Sequence, residues 1–153
     1  MIDPGALQDV IARWWWNYDE GNFDVLASLL TEDVHFLVRT DTGATDFEEF
    51  VRADMRGRDE VMYWQSKHRL DSPYPLRHNG TNVHLVEQRG SEATFASYIH
   101  VTQVVELQPA GIPGGIVRGA VRDEGGVLRI SELEVVLDTM TSVPFREVRS
   151  LRT

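Results

Sequence analysis

The chain has no cysteine, which removes a disulfide framework, a thiolate zinc site and a cysteine nucleophile from consideration. Nowhere does it hold the roughly eighteen consecutive apolar residues of a membrane-spanning helix, so no membrane partner is expected. A Lys/Arg stripe is missing too. Arg118, Arg122 and Arg129 are scattered, and the formal charge is -9, so a nucleic-acid partner is excluded. There is no His-x-x-x-His pair, no Glu-x-x-His repeat, no Gly-x-Ser-x-Gly elbow and no glycine loop cradling a phosphate after a strand; neither metal nor cofactor is expected. Met1-Ile2-Asp3-Pro4 does not begin a basic region followed by an apolar run, and the expectation is a soluble, cytoplasmic protein.

What is present fits one globular unit. With 153 residues, 42% of them hydrophobic, the chain can bury one substantial core, placed here in residues 1–140, with a tail over 141–153 carrying Arg146, Arg149 and Arg152. Charge is unevenly spread: residues 1–60 hold 14 acidic and 5 basic side chains, whereas residues 61–153 hold 10 of each. An acidic first half reads as a solvated helical surface.

Leu7, Val10, Ile11, Trp14, Trp15 and Tyr18 keep the i, i+3, i+4, i+7 spacing of an amphipathic helix. Asp3 and Pro4 open it and Gly21 stops it. Its end carries a phenol and a carboxylate, Tyr18-Asp19, on or beside the apolar stripe. Asn22 caps a short second helix through Phe23, Leu26, Leu29 and Leu30, and Val34–Val38 has strand composition. Thr45-Asp46-Phe47-Glu48 fits a capping box, and Gly57-Arg58-Asp59-Glu60 introduces a helix through Val61, Trp64, Gln65 and His68 that Ser72-Pro73 ends. Strands follow over 76–88 and 92–107, then a loop from Pro109 to Gly115, then a hairpin of 116–123 and 127–138 about Glu124-Gly125-Gly126. Helices first and antiparallel strands afterwards mean an α+β fold.

These residues resemble a family. The Tyr-Asp helix end, Thr31-Glu32-Asp33-Val34 entering the first strand, Gly57-Arg58-Asp59-Glu60-Val61, and Arg77-His78-Asn79-Gly80-Thr81-Asn82-Val83 together look like the nuclear transport factor 2-like superfamily. The resemblance spans residues 6–138, is nearest to the SnoaL-like branch that includes scytalone dehydratase, and extends more weakly to the small subunits of ring-hydroxylating dioxygenases. It implies a cystatin-like cone, a strongly bent antiparallel sheet wrapped around three to four N-terminal helices, enclosing an apolar pocket.

The resemblance also implies roles. Tyr18-Asp19 matches the dehydratase's Tyr-Asp pair, and His78, after Leu76-Arg77, matches its first catalytic histidine. Asp19 would hold one imidazole nitrogen and leave the other as a general base. The second tyrosine of that pattern falls on Val38 and the second histidine near Gln103, so neither role is filled. His100, three residues away, has the opposite strand parity. Trp15, Phe36, Met62 and Trp64 supply candidate pocket walls, and Val38, Asn82, His100 and Gln103 candidate ligand contacts.

Each of these residues also has a purely structural reading. Tyr18 can be a core tyrosine with a satisfied hydroxyl, Asp19 a helix-ending acid, and Asn82 a partner for backbone groups. His84 is expected to serve structure, and His35 and His68 to be at the surface or partly buried. Trp14-Trp15-Trp16 cannot all face one way on a helix, which favours a homodimer or higher homo-oligomer covering one ring. Two functions follow: a lyase or isomerase that needs no cofactor, acting on a small apolar cyclic or polyketide-like molecule; or a noncatalytic ligand-binding or assembly subunit of the same fold.

Overall fold

The computed structural model describes the backbone of residues 1–151 and the side chains of residues 1–148. Helix α1 (Pro4–Asp19) begins where Asp3 Oδ1 accepts the Ala6 N–H at 3.0 Å and ends at Gly21, whose φ of 68° only glycine adopts without strain. After it come α2 (Phe23–Ser28), β1 (Leu30–Thr40), α3 (Glu48–Val51), β2 (Ala53–Arg56) and α4 (Arg58–Asp71). The sheet-rich half holds β3 (Leu76–Arg89), β4 (Glu92–Val105), β5 (Gln108–Asp123) and β6 (Leu128–Leu137), followed by α5 (Phe145–Leu151). Within the stretch expected as a tail, α5 is therefore helical; Arg152 and Thr153 lie outside the described residues.

The strands form one curled sheet in the order β2-β1-β6-β5-β4-β3. It is not closed, and the fold is the mixed α+β arrangement the sequence pointed to. Three details differ from expectation. First, β1 runs parallel to β6, with Phe36 beside Leu133 and Val38 beside Val135, so it joins the sheet through a pairing remote in sequence. Second, residues 109–115 are strand, not loop: Gly111 pairs with Thr102 and Ile112 with Val101. A Cβ at Gly115 would stand 2.3 Å from the Val136 carbonyl oxygen, so the glycines that read as loop are what lets β5 approach β6. Third, the capping box at Thr45 yields only one helical turn. The Glu48 carboxylate is taken by the Thr40 hydroxyl, leaving Thr45 Oγ1 at 3.4 Å, and the chain turns instead into β2, which pairs with β1.

The apolar stripe of α1 fills the inside of the curl. Leu7, Ile11 and Trp14 are fully buried with Phe95, Val117 and Leu133 of the sheet, and each such side chain contributes about 1.5–3 kcal/mol. Trp14 and Trp15 turn inward, whereas Trp16 is 67% exposed. Where α1 crosses β3, Gly80 leaves room for an indole: a Cβ there would lie 2.9 Å from Trp15 Cδ1. That close approach sets Trp15 over the start of β3.

Candidate active site

Three elements converge at one end of the curl: the last turn of α1, the second half of α4 and the first residues of β3. Asp19 ends α1 and is buried. Its Oδ1 lies 2.6 Å from His78 Nδ1, and its Oδ2 accepts the His78 backbone N–H at 2.8 Å. β3 is an edge strand, so that N–H has no strand partner on its outer side, and the carboxylate supplies one. Holding the ring by Nδ1–H fixes the tautomer and leaves Nε2 with its lone pair.

The carboxylate sits at the C-terminal end of a helix, where the backbone is already electronegative. Arg69 of α4 offsets this. Its buried guanidinium gives Nε and Nη2 to the Asp19 carbonyl at 3.0 and 2.9 Å, and Nη1 to the Pro73 carbonyl at 3.0 Å. The arginine thus satisfies an orphan helix-end carbonyl and fixes α1 against α4.

Rings surround the pair. Trp15 stacks on His78 at 5.2 Å and 8°, and Tyr18 meets it edge-on at 5.2 Å and 85°. Tyr18 also faces a second histidine. Its hydroxyl lies 2.5 Å from His68 Nδ1, and His68 is layered between Phe50 at 4.4 Å and Trp64 at 4.5 Å. Burial pushes the Tyr18 phenol up to about 12. Burial also pulls His68 down to about 4, with His78 and Arg69 adding to the shift. At neutral pH, therefore, Tyr18 keeps its proton and His68 carries no charge.

Tyr18, His68 and His78 line one cavity of about 320 Å³, a volume suited to a small ring system, and Asp19 is buried behind His78. Trp15, Phe36, Val38, Trp64 and Gln103 stand in the cavity wall. Met62, Asn82 and His100 do not. Met62 is turned by about 100° from the Val61-Trp64-Gln65-His68 face of α4 and packs against the core instead. Asn82 is exposed, with φ 58° at a register shift in β3, beside a separate cleft with Gln8. His100 is exposed on the opposite face of β4 from Val101 and Gln103, as strand alternation requires. Among the other histidines, His35 bonds Asp54 at 2.7 Å and His84 bonds the Asn82 carbonyl at 2.9 Å.

His68 is the residue the sequence reading undervalued. The signal was available: it falls at i+7 from Val61 and i+4 from Trp64, on the inward stripe of α4. Among the described residues no three potential metal ligands gather, and no helix is long and apolar enough to cross a membrane.

A curled sheet closed by helices over an apolar cavity, with a bonded carboxylate and imidazole at its end, defines a cystatin-like pocket protein. The model of the SnoaL-like domain matches residues 2–134, and the chain belongs to that family. No curated protein sequence matches it. Among solved structures, a scytalone dehydratase candidate from Novosphingobium aromaticivorans is 16% identical, with TM-score 0.69 over 91% of this chain and 87% of that one. ActVI-ORFA from Streptomyces coelicolor is 16% identical, with TM-score 0.69 over 87% and 95%. The beta subunit of benzoate 1,2-dioxygenase from Burkholderia mallei is 20% identical, with TM-score 0.67 over 90% and 91%. At these identities the likeness is one of fold, and the fold supports a small-molecule binding or catalytic role.

Proposed function

We propose that this protein is a lyase or isomerase that needs no cofactor and performs acid–base chemistry on a small, mostly apolar cyclic or polyketide-like molecule. The observation that carries this reading is the Asp19–His78 pair, bonded at 2.6 Å, with His78 in the wall of a cavity shared with Trp15, Phe36 and Trp64. His78 Nε2 takes the proton α to a carbonyl, and the released electron pair forms the C=C bond as the C–O bond to a β-hydroxyl breaks. The same imidazolium returns its proton to the departing hydroxide, so the α-proton and the hydroxyl leave from the same face of the substrate as water. Tyr18, protonated at neutral pH, donates to the carbonyl oxygen as charge builds there. Without a β-hydroxyl, returning the proton to another carbon makes the step an isomerisation. The candidate dehydratase among the solved structures shares the fold and supports the elimination.

The first half-reaction can be read without knowing the natural substrate. In deuterated water, 1-tetralone, a neutral bicyclic ketone, should lose its α-protons faster with the protein than without, and His78→Ala should remove about 10³-fold of that acceleration. Tetralone that binds in the cavity and exchanges nothing would replace this reading with a noncatalytic ligand-binding or assembly subunit.

A further inference from the structure

Tyr18 and His68 form a second pair in the cavity, distinct from Asp19 and His78. Tyr18 Oη and His68 Nδ1 are 2.5 Å apart, and His68 Nε2 is buried with no hydrogen-bond partner. Phe50 and Trp64 cover the two faces of the ring, and the imidazole is neutral at ordinary pH. A neutral imidazole has one N–H, and its place decides which way the Tyr18 proton points.

With the proton on Nε2, a donor is buried and orphaned, and Tyr18 must spend its own proton on Nδ1. With the proton on Nδ1, the orphan is a lone pair, which is the less costly deficit, and Tyr18 accepts rather than donates. Ser72 stands beside the phenol and gives its hydroxyl proton to the His68 carbonyl at 2.6 Å, so it donates nothing to Tyr18, and its oxygen is the acceptor a ligand oxygen has to displace. Arg69 is committed to backbone carbonyls, no arginine or lysine among the described residues lines the cavity, and His78 already faces the Asp19 carboxylate, so a ligand carboxylate would be buried without a cation of its own, which is costly.

We infer that His68 is a positioning residue held in its Nδ1–H form, which frees the Tyr18 proton for a ligand oxygen and selects a neutral ring ketone over a ring carboxylate. This rests on the acid–base reading of the cavity and names its substrate class.

Nitrogen-15 spectra of the imidazole-labelled full chain at neutral pH read the tautomer with no turnover needed. His68 should show a protonated Nδ1 and a bare Nε2; a proton on Nε2 overturns the inference. The second arm is 1-tetralone binding, followed by fluorescence of the cavity tryptophans. Tyr18→Phe and His68→Leu should each weaken it about tenfold, the loss of one buried hydrogen bond, and the double variant should lose no more than either. His68→Asn places an amide N–H near the position of Nδ1–H and should hold binding within about threefold. 1-Naphthoate should bind at least about tenfold more weakly than the ketone. Additive losses, an Asn variant as weak as the Leu variant, naphthoate binding as well as tetralone, or no tetralone binding at all each overturn the inference. Binding that follows this pattern without α-proton exchange removes the catalytic reading and leaves the positioning of Tyr18 intact.

Discussion

His68 and His78 stand ten positions apart in the chain and face the same cavity, with Tyr18 touching both rings. Their surroundings make them different reagents. His78 has a buried carboxylate on Nδ1, a backbone tie to the same carboxylate and an indole stacked on its face, so it can accept and stabilise a proton. His68 has a phenol on Nδ1 and aromatic rings on both faces, so it stays neutral. The residue type supplies the chemistry available; partner charge and desolvation decide which part is used.

The sharpest way to break the contrast is to take the carboxylate from His78. Asp19→Asn keeps the shape but offers one acceptor oxygen where two donors, the His78 N–H and Nδ1–H, now end. One of them must face an amide NH₂, and the ring escapes by moving its proton to Nε2, the nitrogen that should act as base. The variant should fold and bind tetralone yet lose α-proton exchange by about 10³-fold, as expected when a histidine base is held in the wrong tautomer. Exchange within tenfold of wild type would remove Asp19 from the mechanism.

The next effect belongs to His68 and appears as stability against pH. Its folded value of about 4 lies below the ordinary 6.5, so above about pH 6.5 neither folded nor unfolded chain binds that proton and the full stability is present. As pH falls from 6.5 towards 4, the unfolded chain takes up a proton that the folded one refuses, and stability is lost; below 4 the loss levels off. With partial exposure discounted, it is on the order of 2 kcal/mol. Denaturant unfolding across this window should give a steeper fall for wild type than for His68→Asn. Asp33, Asp41 and Glu48, all lowered from ordinary values of 3.8, 3.8 and 4.5, lose their contributions as pH falls through still lower values and cancel in the difference. Parallel slopes for the two proteins would show that burial does not hold His68 neutral.

How far this contrast was legible in the sequence follows from where each partner lies. The first helix could be read in full because its cap, stripe and stop are all local: Asp3, the Leu7 to Tyr18 positions, Gly21. His78 was visible through the Leu76-Arg77-His78 context of a known family, although its carboxylate is 59 residues away. His68 carries no such context. Its stripe was read correctly, but a histidine on an apolar stripe gains meaning only from the Tyr18 hydroxyl, 50 residues distant. Met62 failed for the opposite reason: an apolar side chain one residue off the stripe looks like a wall until the helix phase is fixed. β2 and the parallel β1–β6 pairing were illegible because both depend on long-range register, and the glycines of residues 109–115 read locally as a break.

A smaller effect should come from opening the cover of His68. Phe50 is 46% exposed and lies over the ring at 4.4 Å, so Phe50→Ala admits water to one face while Trp64 keeps the other. Desolvation is the leading cause of the low value, and the His68 titration should rise from about 4 towards 6.5 by about one unit, equivalent to about 1.4 kcal/mol. An NMR titration of the ring protons reads this directly. An unmoved midpoint would transfer the effect to His78 and Arg69.

The smallest effect is expected one residue beyond the pocket. Trp15 lies on His78, whereas Trp16, turned by about 100°, is 67% exposed and touches neither histidine. Trp16→Ser should leave tetralone binding unchanged and, where Trp16 meets only solvent, shift the protein's stability by no more than about 0.5 kcal/mol, while Trp15→Ser should damage both. The same variant tests the expected homodimer. If a twofold mate covers Trp16, wild type should sediment at about twice the chain mass of 17.4 kDa and the variant at the single mass; a monomeric wild type leaves Trp16 an ordinary solvated ring and the histidine pair complete within one chain.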